Sequence, residues 1–276
     1  MKKWLYNALI IFFCAVFLLS AGALAVYYIG ARAQENRYDQ LSEMMDAATT
    51  PRPAITEDDD STTETTPQPQ PEFVEVINPE TGETVTMLPE FQALFSLNAD
   101  IVGWMRIPGT DIDYPVMQTP RNPDYYLKRN FDREYSSRGC LYAREVCDVF
   151  APSDNITLYG HRMRDGSMFA QLDRYMDPSF CEENPYIYFD TLDQLRTYRV
   201  MAVFLTTASL GEGFSYHLFV DAESEAEFND FVSTCKTLAL YDTGVEAAFG
   251  DSFITLSTCE YSQTNGRLVV VAKRVG

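Results

Sequence analysis

A thiol, a guanidinium and an imidazole carry the chemistry this sequence offers. Cys259 ends the run Phe253-Ile254-Thr255-Leu256-Ser257-Thr258, and Arg267 opens Leu268-Val269-Val270-Val271-Ala272. Both runs are rich in β-branched and apolar residues. The residues between them include Ser, Gln, Asn and Gly, so the stretch is predicted as strand, short loop, strand. Antiparallel pairing would set Cys259 and Arg267 at neighbouring strand ends. A guanidinium beside a thiol favours the nucleophilic thiolate, and it can also hold a developing oxyanion. Taken alone, the stretch also fits the commoner arrangement, a half-buried free cysteine in a core strand with a surface arginine nearby.

A base or acid working beside Cys259 has two histidine candidates, because the chain holds only His161 and His217. His161 fits better. It follows the predicted strand Asn155-Ile156-Thr157-Leu158-Tyr159 directly, behind Gly160, and Arg162, Arg164 and Asp165 keep the next loop polar. His217 lies in Ser215-Tyr216-His217-Leu218-Phe219, at the start of a strand or loop.

The elements that must position these groups are mostly strands. Further strands are predicted at 101–107, 112–117, 139–143, 186–190 and 196–204, with turns such as Pro108-Gly109-Thr110 between them. Short helices are predicted after Pro89 and around 168–172. Residues 222–240 break the pattern: Phe228, Phe231, Val232, Cys235 and Leu238 recur at helical spacing, with Glu223, Glu225, Glu227 and Asp230 towards the N-terminal half. About eight short strands with helices inserted rather than alternating predict a mostly β fold, a closed β-barrel with appended helices.

The chain of 276 residues carries a formal net charge of -19, which argues against nucleic-acid binding. Residues Leu5 to Ile29 form a nearly unbroken apolar run, and about 25 residues are enough to cross a bilayer core. Lys2 and Lys3 precede it, so positive-inside logic places the N-terminus in the cytoplasm and the rest outside. A cleaved signal peptide is the competing reading, with Ala21-Gly22-Ala23 and Ala23-Leu24-Ala25 as small-residue sites; the length of the run and its continuation to Ile29 favour an uncleaved single-pass anchor over 1–30. Residues 31–87 read as an acidic Thr/Pro-rich extracellular linker, with 31–45 continuing the helix for a few turns. The folded domain is expected over 88–276. No metal-ligand spacing is present and no cofactor is expected. Of the six cysteines, Cys14 lies in the apolar run. Cys140, Cys147, Cys181 and Cys235 are expected outside the cell with no essential disulfide, and Cys235 is expected buried on its helix. Asn155-Ile156-Thr157 fits a glycosylation pattern but falls in a predicted strand.

Leu158-Tyr159-Gly160-His161-Arg162-Met163, Asp165-Gly166-Ser167-Met168-Phe169, Thr255-Leu256-Ser257-Thr258-Cys259 and Arg267, in this order, resemble the sortase family, and specifically class B sortases. Asn98-Ala99-Asp100-Ile101-Val102-Gly103-Trp104, Ile107-Pro108-Gly109-Thr110, Tyr114-Pro115-Val116-Met117-Gln118 and Tyr125-Tyr126-Leu127 with Asn130-Phe131 extend the likeness over essentially the whole domain. The helix at 222–240 matches the long helix that class carries before its catalytic strand. Two departures stand out: 119–127 is one residue longer than the class pattern, and Arg162 stands where many relatives carry Asn.

The resemblance implies an eight-stranded sortase barrel and a thioester mechanism. Cys259 would attack a Thr carbonyl in the C-terminal sorting motif, NPQTN- or PxTG-like, of a secreted protein. An amine, typically from a peptidoglycan precursor, would resolve the thioacyl enzyme. By the same match His161 is the general acid/base, and Arg267 stabilises the oxyanion or positions the substrate. Ser257, Thr258, Glu260 and Leu127 match positions that contact substrate or shape the site. The implied place is the membrane of a Gram-positive bacterium, with the catalytic domain outside. A cysteine endopeptidase passing the acyl group to water, a pilin-polymerising sortase and a stalked binding barrel are the alternatives. The trio His161, Cys259 and Arg267 argues against the last, and an ending at Lys273-Arg274-Val275-Gly276 without an apolar tail favours wall anchoring over pilus assembly by resemblance.

Overall fold

The computed structural model describes residues 2–47, 72–209, 211–262 and 264–276, and the chain divides into two compact units, 1–43 and 44–276. The first unit is formed by helix α1 (Lys2–Asp46), which runs on into the start of the second. Its apolar side chains from Trp4 to Ile29, Phe12, Phe17 and Leu19 among them, are exposed. The helix is long and apolar enough to cross a membrane. It continues without a break over 31–46, whereas 48–71 of the expected linker lie outside the described residues.

Within the second unit, residues 74–87, placed in the linker on composition, form a small antiparallel hairpin of β1 (Val74–Ile77) and β2 (Thr84–Met87). Pro89 then opens a short 3₁₀ turn that leads into α2 (Gln92–Leu97), where Leu94 and Phe95 are buried.

The barrel strands are β3 (Ile101–Arg106), β4 (Asp113–Met117), β5 (Leu141–Ala143), β6 (Asn155–Tyr159), β7 (Tyr186–Thr191), β8 (Thr197–Thr207), β9 (Phe253–Cys259) and β10 (Gly266–Arg274). They close in the order β10-β8-β7-β3-β4-β5-β6-β9, so the closed eight-stranded barrel expected above is the fold. Closure leaves no exposed edge along the barrel. Two neighbouring pairs are parallel, β4 with β5 and β6 with β9; the others are antiparallel. Trp104, Leu141, Leu158, Phe189, Phe204 and Leu256 are fully buried. Short helix α3 (Pro178–Glu183) precedes β7, started by Pro178 and by Asp177, whose side chain accepts from the Ser179 amide.

Helix α4 (Glu225–Leu238) is the amphipathic element expected before the catalytic strand. Ser224 caps it by accepting from the Glu227 amide at 3.3 Å. Phe228, Phe231, Val232 and Cys235 are buried against Met201, Phe204 and Phe253, with the Phe219 and Phe231 rings stacked 4.1 Å apart. The helix thus packs on the strands that carry the site. All six cysteines are free, and Cys140, Cys147, Cys181 and Cys235 are buried. Burial pushes the Cys147, Cys181 and Cys235 thiols up, away from the reactive thiolate. Asn155 is fully buried, donates to the Phe219 carbonyl and accepts from Thr255, so its side chain belongs to the core.

Candidate active site

The site is built where β6, β9 and β10 end together. In the antiparallel β9–β10 pair Cys259 lies opposite Arg267, and Thr258 opposite Leu268. On the other side β6 runs parallel to β9, with Tyr159 level with Ser257. A parallel neighbour ends at the same barrel rim, so the chain leaves β6 through Gly160 and delivers His161 to the cleft that Cys259 also lines. Two bonds fix this crossing: the Gly160 amide donates to the Ser257 carbonyl at 3.3 Å, and the Thr258 hydroxyl donates to the Gly160 carbonyl at 2.8 Å. Glycine is needed at 160 because a Cβ would come within 2.5 Å of the Leu141 side chain and 2.6 Å of Phe169.

His161, Cys259 and Arg267 line one open cleft of about 370 Å³, together with Leu127, Ser257 and Thr258, a size in the range of binding sites. The His161 Nε2 lies 2.8 Å from the Leu127 carbonyl oxygen. A carbonyl only accepts, so Nε2 carries the proton and Nδ1 is the basic nitrogen of the neutral ring. Leu127 belongs to the 3₁₀ turn Tyr125–Lys128. That turn is held by Tyr126, whose hydroxyl donates to Asp100 at 2.7 Å and accepts from Asn98 at 2.8 Å. Gly139, at φ +60°, packs behind it, where a Cβ would meet the Leu127 and Tyr126 carbonyl oxygens at 2.6 Å. Arg138, just before it in the chain, donates to the Ser167 hydroxyl at 3.0 Å and pairs with Asp165, clamping the loop that follows His161. Burial penalises the Asp165 carboxylate, but the Ser167 hydroxyl and amide and the Arg138 charge hold it below the usual range.

Arg267 donates through Nη1 to the carbonyls of Gly266 and Asn265, at 2.9 and 3.3 Å. Among the described residues its other N–H groups have no hydrogen-bond partner, which leaves donors for a ligand in the cleft. Ser257 and Thr258 are both buried, at 2% exposure. The Ser257 hydroxyl lies 2.6 Å from that of Tyr216, whose burial pushes its phenol up and keeps it neutral. Glu260 is not among the cleft-lining residues. Its carboxylate accepts from the Ser262 amide and hydroxyl, which hold it below its usual range. His217 lies in the 3₁₀ turn Tyr216–Leu218 outside the cleft, and its imidazole is pushed down by burial and by Arg144.

Asp124, Tyr142, Arg144, Glu145 and Tyr159 also line the cleft, and the sequence did not single them out as site residues. Tyr142 donates to Asp124 at 2.8 Å, and Arg144 donates to the His217 carbonyl. Tyr159 carried a signal, standing two residues before His161 at the end of the same strand; Asp124 and Glu145 lie in loops and carried none. Among the described residues no group of three or more His, Cys, Asp or Glu is arranged to hold a metal ion.

The "Sortase domain" family model matches residues 105–275. Sortase B of Staphylococcus aureus is 34% identical over 187 residues, covering 67% of this chain and 74% of that protein. Sortase B of Listeria monocytogenes is 33% identical over 188 residues with the same coverage. The structure of the Staphylococcus aureus sortase B–substrate complex superposes with a TM-score of 0.69 at 26% identity, over 90% of this chain and 98% of that one. A family model that matches most of the barrel, and class B relatives above 30% identity, place the chain in class B of the sortase family, the cysteine transpeptidases.

Proposed function

We propose that Cys259 is the nucleophile, His161 the general acid/base and Arg267 the oxyanion partner of a transpeptidation at the outer face of a Gram-positive cell membrane. The observation that carries this reading is the direct pairing of Cys259 with Arg267 across β9 and β10, with His161 in the same cleft. The thiol sulfur attacks the carbonyl of the Thr in a C-terminal sorting motif, NPQTN- or PxTG-like, of a secreted protein. The thiol proton passes to the basic nitrogen of His161, and guanidinium donors of Arg267 take the charge that develops on the carbonyl oxygen. The tetrahedral adduct collapses with loss of the C-terminal fragment, whose amine receives the proton from His161, leaving a thioester on Cys259. A cell-wall amine then attacks the thioester while His161 takes its proton; the new amide bond replaces the C–S bond, and the proton returns to the departing sulfur of Cys259. Leu127, Ser257 and Thr258 line the donor cleft, and Glu260, outside that lining, braces the loop after Cys259 through its bond with the Ser262 amide. The N-terminal helix holds the enzyme in the membrane with its N-terminus inside, as Lys2 and Lys3 before the apolar run support.

Mass spectrometry of the full-length enzyme mixed with a panel of sorting-motif peptides tests this. One peptide class should leave an adduct of its N-terminal fragment on Cys259, discharged faster when an amine is added. Adduct decay indifferent to amine would point to a hydrolase instead.

A backbone contact gives a second expected result. Gly139→Ala puts a Cβ on the Leu127 and Tyr126 carbonyls and forces an L-residue to φ +60°, a strain of about 1–2 kcal/mol. The turn that presents the Leu127 carbonyl to His161 must shift. We expect kcat/KM to fall about tenfold, as for catalytic groups displaced by a fraction of an ångström, with the far-UV circular dichroism retained. Unchanged kcat/KM would show that this contact does not position the imidazole.

A further inference from the structure

His161 follows the end of β6 and Cys259 ends β9, so two separate loops begin at the two reacting groups. One side chain ties those loops together. The Arg162 guanidinium pairs with Asp173, in the 3₁₀ segment Phe169–Met176 that follows the first loop. It also lies 5.1 Å from the centre of the Tyr261 ring, in the second loop, and the Tyr261 hydroxyl donates to the Arg162 carbonyl at 3.4 Å. The backbone beneath it is held as well: Arg162 is bridged to Met168, and the Phe169 amide donates to the His161 carbonyl at 2.9 Å. Resting on the catalytic reading above, we propose that Arg162 is a positioning residue: its one positive charge, shared by the carboxylates of Asp173 and Glu260, holds the His161 loop to the strand end that carries Cys259.

Three charges meet here, one from each segment. Asp173 and Glu260 repel each other, and Arg162 attracts both. Burial pushes the Asp173 carboxyl up, Arg162 draws it back towards ionisation, and the Glu260 charge adds to the penalty. One Asp173 oxygen is buried with no hydrogen-bond partner among the described residues, so this carboxylate depends on Arg162 for its neutralisation. Glu260 is not free to swing away, because the Ser262 amide and hydroxyl hold its carboxylate. Arg164 lines the same depression but forms no ion pair among the described residues, so it does not stand in for Arg162. With the cation removed, two like charges face each other from elements that must stay together. The loops part, and the imidazole moves relative to the thiol. Arg162 is not among the residues lining the donor cleft, so the displacement acts on the chemical step rather than on peptide binding.

The test follows acylation of Cys259 by a sorting-motif peptide in the full-length protein in detergent, over a range of peptide concentrations, with the adduct counted by mass spectrometry. Arg162→Gln should lower kcat for acylation about tenfold, the scale of a catalytic group displaced by a fraction of an ångström, with KM within about twofold and the far-UV circular dichroism unchanged. Arg162→Lys keeps the charge and should stay within about threefold of the wild type. The sign of the Asp173→Asn effect separates positioning by charge from plain packing. With Arg162 present the substitution breaks the ion pair and should lower kcat about threefold. In the Arg162→Gln background it removes the repulsion from Glu260 and should raise kcat about threefold, a coupling that independent packing losses do not produce. An unchanged kcat in Arg162→Gln, a loss confined to KM, or losses that simply multiply in the double variant overturns the positioning role while leaving the catalytic assignment standing. Absence of any adduct on Cys259 in the wild type overturns both.

Discussion

Cys259→Ala is expected to abolish the thioacyl adduct and to lower transpeptidation by about 10⁴-fold or more, the scale seen when the nucleophile of a cooperating catalytic group is removed. On the proposed mechanism the thiol sulfur is the atom that bonds to the substrate, and no neighbouring group can replace it. Ser257 and Thr258 come nearest in sequence, but both are buried and their hydroxyls are engaged, with Tyr216 and with the Gly160 carbonyl. Of the other cysteines, Cys140, Cys147, Cys181 and Cys235 are buried, and Cys14 belongs to the apolar helix. The variant should fold as the parent does. Cys259 is half-buried at the end of β9, and the strand is secured by its pairing with β6 and β10 rather than by this side chain. Intact-mass measurement with the acylating peptide, alongside a thermal melt, checks both halves. A processed peptide from a well-folded Cys259→Ala protein would sink the assignment of the nucleophile.

Much of this site could be read from the chain because its parts lie in short, strongly patterned segments. The β9–β10 hairpin is local: two apolar runs joined by a polar turn specify their own antiparallel partnership, and that alone puts Cys259 opposite Arg267. Helix α4 was equally plain, since Phe228, Phe231, Val232 and Cys235 repeat at helical spacing and meet the core on one side. The approach of His161 was not local. It depends on β6 lying parallel to β9 across about 100 residues of sequence, a pairing that no hydrophobic period encodes; only the family motifs suggested it. The hairpin at 74–87 was hidden for another reason. Val74-Glu75-Val76-Ile77 and Thr84-Val85-Thr86-Met87 are four-residue strands with one buried position each, and the acidic composition before them masks so short an alternation. The contact between the Leu127 carbonyl and the His161 imidazole uses a backbone atom, for which side-chain identity is silent. The same holds for Glu260: its place beside the nucleophile was legible, but not its turn back onto the Ser262 amide.

Arg267→Ala should separate the two roles a guanidinium can play beside the thiol. If it holds the oxyanion, its contribution exists mainly in the transition state, and kcat for acylation falls by about 10²–10³-fold, or roughly 3–4 kcal/mol, with KM little changed. If it instead positions the bound motif, the loss appears chiefly in KM. The geometry favours the first outcome. Arg267 is level with Cys259 in the strand register, its Nη1 is anchored on two carbonyls of its own turn, and a fork held at one corner keeps its remaining donors fixed while charge develops. Arg267→Lys should then restore at most about tenfold, since an ammonium on a flexible stem supplies charge without the preorganised fork. Stability should hardly move in either variant, because β10 is paired along its whole length with β8 and β9 and its core positions from Leu268 to Ala272 are untouched. Single-turnover acylation, followed by the adduct on Cys259 over a range of peptide concentrations, yields kcat and KM separately. A loss confined to KM, or full recovery with lysine, would make Arg267 a substrate clamp and would require another source of oxyanion stabilisation, with the backbone N–H groups around Cys259 the next to test.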